Sequence, residues 1–153
     1  MMASCNVFVY GTLKPGERYH DRYCGDLLET ARLATVRGNL YHLPHCRYPA
    51  MTPGDGWVRG YLLSFRDERA LCQIDQLEGY HPNRPATDNE YQRQVVEVFD
   101  LVPASDNKNP SERWGRSLGR GWTYFMTLER VRASDGQFLP EGWWSEKHIE
   151  SPH

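Results

Sequence analysis

The sequence predicts an α+β domain built around a curved sheet or small β-barrel. Two observations carry that reading. Strand-like segments rich in β-branched and aromatic residues precede and follow one clear amphipathic helix, an order that fits a mixed sheet with helices packed on it. The length of 153 residues also suits one domain able to bury a real core.

Residues 6–10 read as a buried first strand bounded by Gly11. Residues 14–19 look like loop, with Pro15-Gly16 as a turn signal, and residues 20–29 suit a short helix. Residues 34–43 alternate loosely as a strand, after which Pro44 and Pro49 break the chain. Pro53-Gly54-Asp55-Gly56 reads as a turn, and residues 57–65 as the next strand.

Residues 67–77 form the clearest helix. Asp67 suits the N-cap, Ala70, Leu71, Ile74 and Leu77 share one face, and Gly79 supplies a stop. A proline-containing loop over 80–89 leads to a long strand at 91–101. Residues 103–119 are rich in Pro, Ser, Asn, Gly and charge and read as an exposed hairpin extension of the single domain. Residues 121–126 return as a strand, and an irregular tail with one short helix follows.

A net charge of −2 gives no reason to expect a nucleic-acid surface. No apolar run approaches the roughly 20 residues of a membrane helix, and the N-terminus lacks the pattern of a signal peptide. Cys5, Cys24, Cys46 and Cys72 lie far apart and form no CxxC pair, which argues against a zinc site and for reduced thiols in the cytoplasm. Five tryptophans and nine tyrosines point to an aromatic-walled pocket or a core built partly from large rings.

Two features carry chemistry. The first is Val7-Phe8-Val9-Tyr10-Gly11-Thr12-Leu13, an apolar strand ending on a glycine. Such an end can turn several backbone N–H groups toward one point and seat a carboxylate or phosphate. Gly11 and Gly16 have P-loop spacing, but Glu17-Arg18 stand where Lys-Ser/Thr is required, which argues against nucleotide binding by that route. Taken alone, the run reads more simply as a strand entering an ordinary tight turn.

The second is Glu78. At about 100° per residue it falls between Leu71 and Ile74, with the apolar face of the helix, and it sits where the helix dipole disfavours a negative charge. Both effects raise a carboxylate's pKa, which suits a group that accepts and returns a proton near neutrality. Fraying of the helix at Leu77 would instead turn Glu78 to solvent. Asp75 shares the ambiguity, with Arg66 or Arg69 as its partner if it faces water.

Together, Val9-Tyr10-Gly11-Thr12-Leu13 and Asp75-Gln76-Leu77-Glu78-Gly79-Tyr80 resemble the signatures of the γ-glutamylcyclotransferase-like proteins, the group that includes the plant AIG2-like proteins. Further matches follow in order: Val36-Arg37-Gly38 with Leu40-Tyr41, Tyr48-Pro49-Ala50, Val58-Arg59-Gly60-Tyr61-Leu62, Tyr91-Gln92-Arg93 and Trp122-Thr123-Tyr124. The resemblance spans residues 7–127. Lys14 and Tyr91-Gln92-Arg93 are most similar to the γ-glutamylamine cyclotransferase branch.

The resemblance implies a six-stranded or similar small mixed β-barrel flanked by short helices, with one cavity. It also implies that backbone amides of Tyr10, Gly11, Thr12 and Leu13 hold a glutamyl group, that Glu78 is the general acid/base, and that Tyr91 lines the cavity. The reaction implied is intramolecular aminolysis of a small γ-glutamyl substrate, releasing 5-oxoproline and an amine, and it needs no metal or cofactor. The amine half stays open among glutathione, a γ-glutamyl amino acid, γ-glutamyl-lysine and a γ-glutamylated metabolite, as does the oligomeric state. The departures are the long 103–120 segment and the tail after Met126, for which the family pattern offers no match.

Two other readings compete. A binding module for a γ-glutamyl or other small carboxylate ligand would use the same cavity without turnover, but it has no use for Glu78. A metal-dependent hydrolase would draw on His42, His45 and Cys46, which Pro44 keeps from sharing a helix face. These residues read more simply as loop or strand side chains. His20 suits a surface role, and Arg113, Arg116 and Arg120 a solvated loop or contacts to an anionic leaving group.

Overall fold

Burial on both faces of the first strand decides the architecture. In β1 (Cys5–Val9) every side chain but that of Asn6 is buried, so both faces of the strand are covered. The computed structural model describes residues 5–11, 13–14, 28–45, 48–67, 69–77, 91–100 and 117–145. Its remaining elements are β2 (Leu28–Leu43), β3 (Tyr48–Phe65), α1 (Arg69–Leu77), β4 (Gln92–Asp100), β5 (Ser117–Phe125), α2 (Leu128–Ala133) and β6 (Gln137–Phe138).

β1 runs antiparallel to β3, with Cys5 opposite Phe65 and Val9 opposite Tyr61, and parallel to β5, with Val7 opposite Trp122. The hairpin β4–β5 then meets β2 at Ala34–Asp100 and Thr35–Phe99, and β2 pairs along its length with β3. Five strands therefore close into a mixed barrel in the order β3-β1-β5-β4-β2, while β6 adds to β2 at Tyr41 and His42. Closure removes the free sheet edges that an open sheet of this length would expose.

The two faces of the strands build two cores. Phe8 and Tyr10 of β1 and its exit join Ala34, Val36, Leu62 and Phe125 in the barrel interior. Val7 and Val9 face the other way and join Leu63, Phe65, Tyr124 and Met126 in an outer layer beneath α1. α1 reaches that layer through Ala70, Leu71 and Ile74, and burying the two larger side chains contributes about 2 kcal/mol each. Asp67 begins the helix as expected: its Oδ1 accepts the Arg69 backbone N–H at 2.9 Å.

The structure corrects several boundaries. Leu28 and Glu29, expected at the end of a helix, already belong to β2, because β3 pairs Leu28 with Phe65 and Thr30 with Ser64, leaving Glu29 at a bulge between them. Pro49 does not break the sheet; it pairs with His42 near the start of β3, where a missing N–H is tolerated. Pro53-Gly54-Asp55-Gly56 does not divide two strands. It bulges from one continuous strand between Thr52 and Trp57, where the register shifts opposite Gly38, and the Gly56 N–H bonds to the Asn39 side chain at 3.2 Å. Residues 117–119, expected in the exposed connection, open β5 with Ser117 opposite Phe99.

The tail after Phe125 is sewn to the barrel. Met126 N–H bonds to the Met51 carbonyl at 2.8 Å, and Leu139 N–H to the Leu40 carbonyl at 2.8 Å. Thr127 caps α2 by accepting from Arg130 N–H at 3.2 Å. Gly142 then turns the chain with φ 68°, and a Cβ there would stand 2.1 Å from the Trp57 carbonyl oxygen. That turn delivers Trp143 and Trp144 to the barrel. Among the described residues no helix is long and apolar enough to cross a membrane.

Candidate active site

β1 and β5 finish, and β4 begins, at the same end of the barrel, so the strand exits converge there. The chain leaves β1 through buried Tyr10 and Gly11, and Lys14 N–H bonds to the Gly11 carbonyl at 3.1 Å, closing a tight turn. Gly11 has a packing reason as well. A Cβ there would lie 2.8 Å from Pro49 Cγ and 2.9 Å from Cδ, so only glycine lets the proline ring rest on the turn.

Each neighbouring element then ties into this turn. The Tyr10 hydroxyl donates to the Tyr124 carbonyl at 2.6 Å, linking the turn to β5. The Tyr91 hydroxyl donates to the Pro49 carbonyl at 2.6 Å, so the residue whose ring covers Gly11 is held from the position just before β4. The Tyr48 ring lies 6.3 Å from that of Tyr91. Leu13 is buried in the outer core. Tyr10, Gly11, Leu13 and Tyr91 are thus brought together, whereas Thr12 and Glu78 lie outside the described residues.

Asp75 resolves its ambiguity inward. Its Oδ1 accepts the Tyr124 hydroxyl at 2.5 Å and its Oδ2 meets Arg93 Nη1 at 2.5 Å, with both side chains largely buried. The suggested partner Arg69 instead meets Asp67 at 2.8 Å. Loss of water pushes the Asp75 carboxyl above the ordinary aspartate value, while the Tyr124 hydroxyl and the Arg93 charge pull it back. Arg93 also lies 4.6 Å from the centre of the Trp122 ring.

The tail forms a further side of the site that the sequence reading left unmatched. Lys14 is 1% exposed, its ammonium donates to the Trp144 carbonyl, and it lies 3.5 Å from the centroid of Trp143. Trp144 in turn donates its indole N–H to His42 Nδ1 at 3.0 Å. An indole nitrogen can only donate, so His42 accepts there as the neutral ring, and burial lowers its pKa in the same sense. The signals for this arrangement were Lys14 beside the turn and the adjacent pair Trp143-Trp144 behind a glycine.

His42 is therefore a core residue, and His45 is exposed and paired with Asp135 at 2.9 Å. Cys46 and His20 lie outside the described residues, as do Arg113 and Arg116, while Arg120 is an exposed residue of β5. Among the described residues no three His, Cys, Asp or Glu side chains are grouped to hold a metal ion.

Comparison with known proteins bears on this arrangement. A family model described as gamma-glutamyl cyclotransferase, AIG2-like, matches residues 7–146 and so takes in the tail with Trp143 and Trp144. A gamma-L-glutamyl-butirosin B gamma-glutamyl cyclotransferase from Niallia circulans is 30% identical over 119 residues, covering 78% of this chain and 65% of that relative, so the chain spans just under two thirds of its length. The crystal structure of an AIG2-like protein from Mus musculus superposes with a TM-score of 0.66 at 22% identity, covering 98% of this chain and 92% of that one. YkqA from Bacillus subtilis gives 0.61 at 20% identity, covering 96% of this chain but 42% of that one. The turn at Gly11, the tyrosines around it and the tail that packs on it all fall within the matched span, and the chain belongs to the gamma-glutamyl cyclotransferase, AIG2-like family.

Proposed function

We propose that this protein is a γ-glutamylcyclotransferase-type enzyme that converts a γ-glutamyl amide to 5-oxoproline and a free amine. The observation that carries the proposal is one hydrogen-bonded assembly at the barrel end: the Gly11 turn joins Tyr124, and through it Asp75 near the end of α1. Glu78 follows Leu77, the last residue of that helix, directly in the chain.

The chemistry sets what the site must do. The α-amine of the glutamyl group attacks its own γ-carbonyl carbon, forming the ring C–N bond. The bond to the leaving nitrogen then breaks, and the proton lost by the attacking amine must reach that nitrogen. A single carboxylate between the two nitrogens performs both transfers, and this is the role of Glu78 in our reading. Fixed geometry supplies the rest. The backbone of Tyr10, Gly11, Thr12 and Leu13 holds the glutamyl chain in a ring-closing pose, through its α-carboxylate or its developing oxyanion, while Tyr91 braces the turn through Pro49.

The amine half of the substrate sets the enzyme's place in metabolism. A panel of γ-glutamyl amino acids, γ-glutamyl-lysine and glutathione, assayed for 5-oxoproline, tests the proposal. At least one member is consumed with one equivalent of 5-oxoproline formed. A panel that raises the melting temperature without being consumed would make the protein a binding module instead.

A further inference from the structure

The carboxylate of Asp75 is engaged at both oxygens, and its two partners come from different strands. Tyr124 of β5 takes Oδ1 and Arg93 of β4 takes Oδ2, so the group is fixed in tilt and in rotation. Stability alone is a weak explanation for such a pair. Burying two charges costs desolvation that their attraction only partly returns, and a carboxylate near a helix C-terminus also opposes the helix dipole. Tyr124 adds a second property. Its hydroxyl binds Asp75 while its carbonyl receives the Tyr10 hydroxyl at 2.6 Å, so one residue touches both the helix and the strand-end turn.

We propose that Asp75 is a positioning residue for the cyclisation: clamped by Tyr124 and Arg93, it fixes the last turn of α1 against β4 and β5 and, through Tyr124, in register with the turn at Gly11. This rests on the reading of Glu78 as the proton carrier, because Glu78 is the third residue beyond Asp75 in the sequence. Asp75 touches no reacting atom in this scheme. It sets where the acid/base stands relative to the amides that hold the glutamyl group.

The test compares Asp75→Asn, Tyr124→Phe and the double variant Asp75→Asn/Arg93→Gln with the wild type, using a γ-glutamyl amide that the wild type consumes. A misplaced acid/base lowers kcat with little change in KM. The expected losses in kcat are about 100-fold for Asp75→Asn and about 10-fold for Tyr124→Phe, with KM held within about threefold. The double variant also removes the arginine charge that faced the carboxylate, so its melting temperature recovers toward wild type while kcat stays low. Recovery of kcat together with stability would make Asp75 a structural residue only and overturn the proposal. If Asp75→Asn fails to fold, Tyr124→Phe, which loses a single oxygen, decides the kinetic question by the same criterion. Hydrogen exchange supplies a readout that needs no turnover. In Tyr124→Phe the helix Arg69–Leu77 loses the most protection and the better-braced residues Tyr10, Gly11 and Leu13 lose a smaller but measurable amount, whereas a loss confined to the helix would overturn the coupling. A wild type that consumes no γ-glutamyl compound contradicts the functional reading instead, and the exchange pattern still decides whether Asp75 links helix to turn.

Discussion

The turn after β1 and the last turn of α1 meet at the same end of the barrel but are held there by different means. The turn continues a strand buried on both faces, carries its own Lys14–Gly11 backbone bond, and is braced through Tyr10, Pro49 and Lys14. In the last turn of α1, Ile74 packs into the outer core and, among the described residues, Asp75 carries the polar ties to β4 and β5. A segment held redundantly tolerates the loss of one tie. A helix end whose described polar ties run through one group loses both of them when that group is changed. In the proposed mechanism the polar anchoring of the binding half is therefore distributed, and that of the proton-transfer half rests on Asp75.

Substitutions on the two sides probe that contrast. Asp75→Asn is expected to have the largest effect on stability, about 3 kcal/mol in a urea melt, because it leaves the Arg93 charge buried without its carboxylate. Gly11→Ala comes next. The added methyl must displace the Pro49 ring, at about 2 kcal/mol of overpacking, and the shifted backbone raises KM for a γ-glutamyl substrate more than it lowers kcat. Tyr91→Phe removes one brace among several. The Pro49 carbonyl loses its hydroxyl donor, worth about 1 kcal/mol, and KM changes by no more than a few-fold. A Tyr91→Phe effect as large as that of Asp75→Asn would break the contrast.

The smallest expected effect is a pH dependence at the helix end. The native Asp75 carboxyl, facing Arg93 and Tyr124, holds its proton more tightly than the unfolded chain does. Between the ordinary value of 3.8 and the raised native value the folded state therefore binds more protons, and stability falls as pH rises. The contribution is fully present below the ordinary value and is lost as pH rises through the native one. Melts of wild type and Asp75→Asn across that acid range should converge toward higher pH by this increment, and a difference independent of pH would contradict the assignment.

What the sequence disclosed follows the same division between local and distant causes. The strand at Val7, its glycine exit and the helix after Asp67 were legible because an apolar run, helical spacing and a capping Asp67 are written in adjacent residues. The bulge at Pro53-Gly54-Asp55-Gly56 read as a turn because its residues carry turn chemistry. What keeps it within one strand is Asn39 and the closure of β2 on β3, neither of which is local. The inward role of Asp75 was hidden for the same reason, since its partners lie 18 and 49 positions away. Trp143 and Trp144 were visible as a pair, but nothing near them names Lys14, 130 positions from Trp144, as the residue they enclose.

Glu78→Gln tests the central claim most directly, with 5-oxoproline release and γ-glutamyl binding measured on the same preparation. The variant keeps the size of the side chain and removes its ability to carry a proton at neutral pH. Release should fall below detection while a γ-glutamyl amide still binds and raises the melting temperature as it does in the wild type. Release sustained at the wild-type rate would remove Glu78 from the mechanism and leave the turn at Gly11 as a binding site alone.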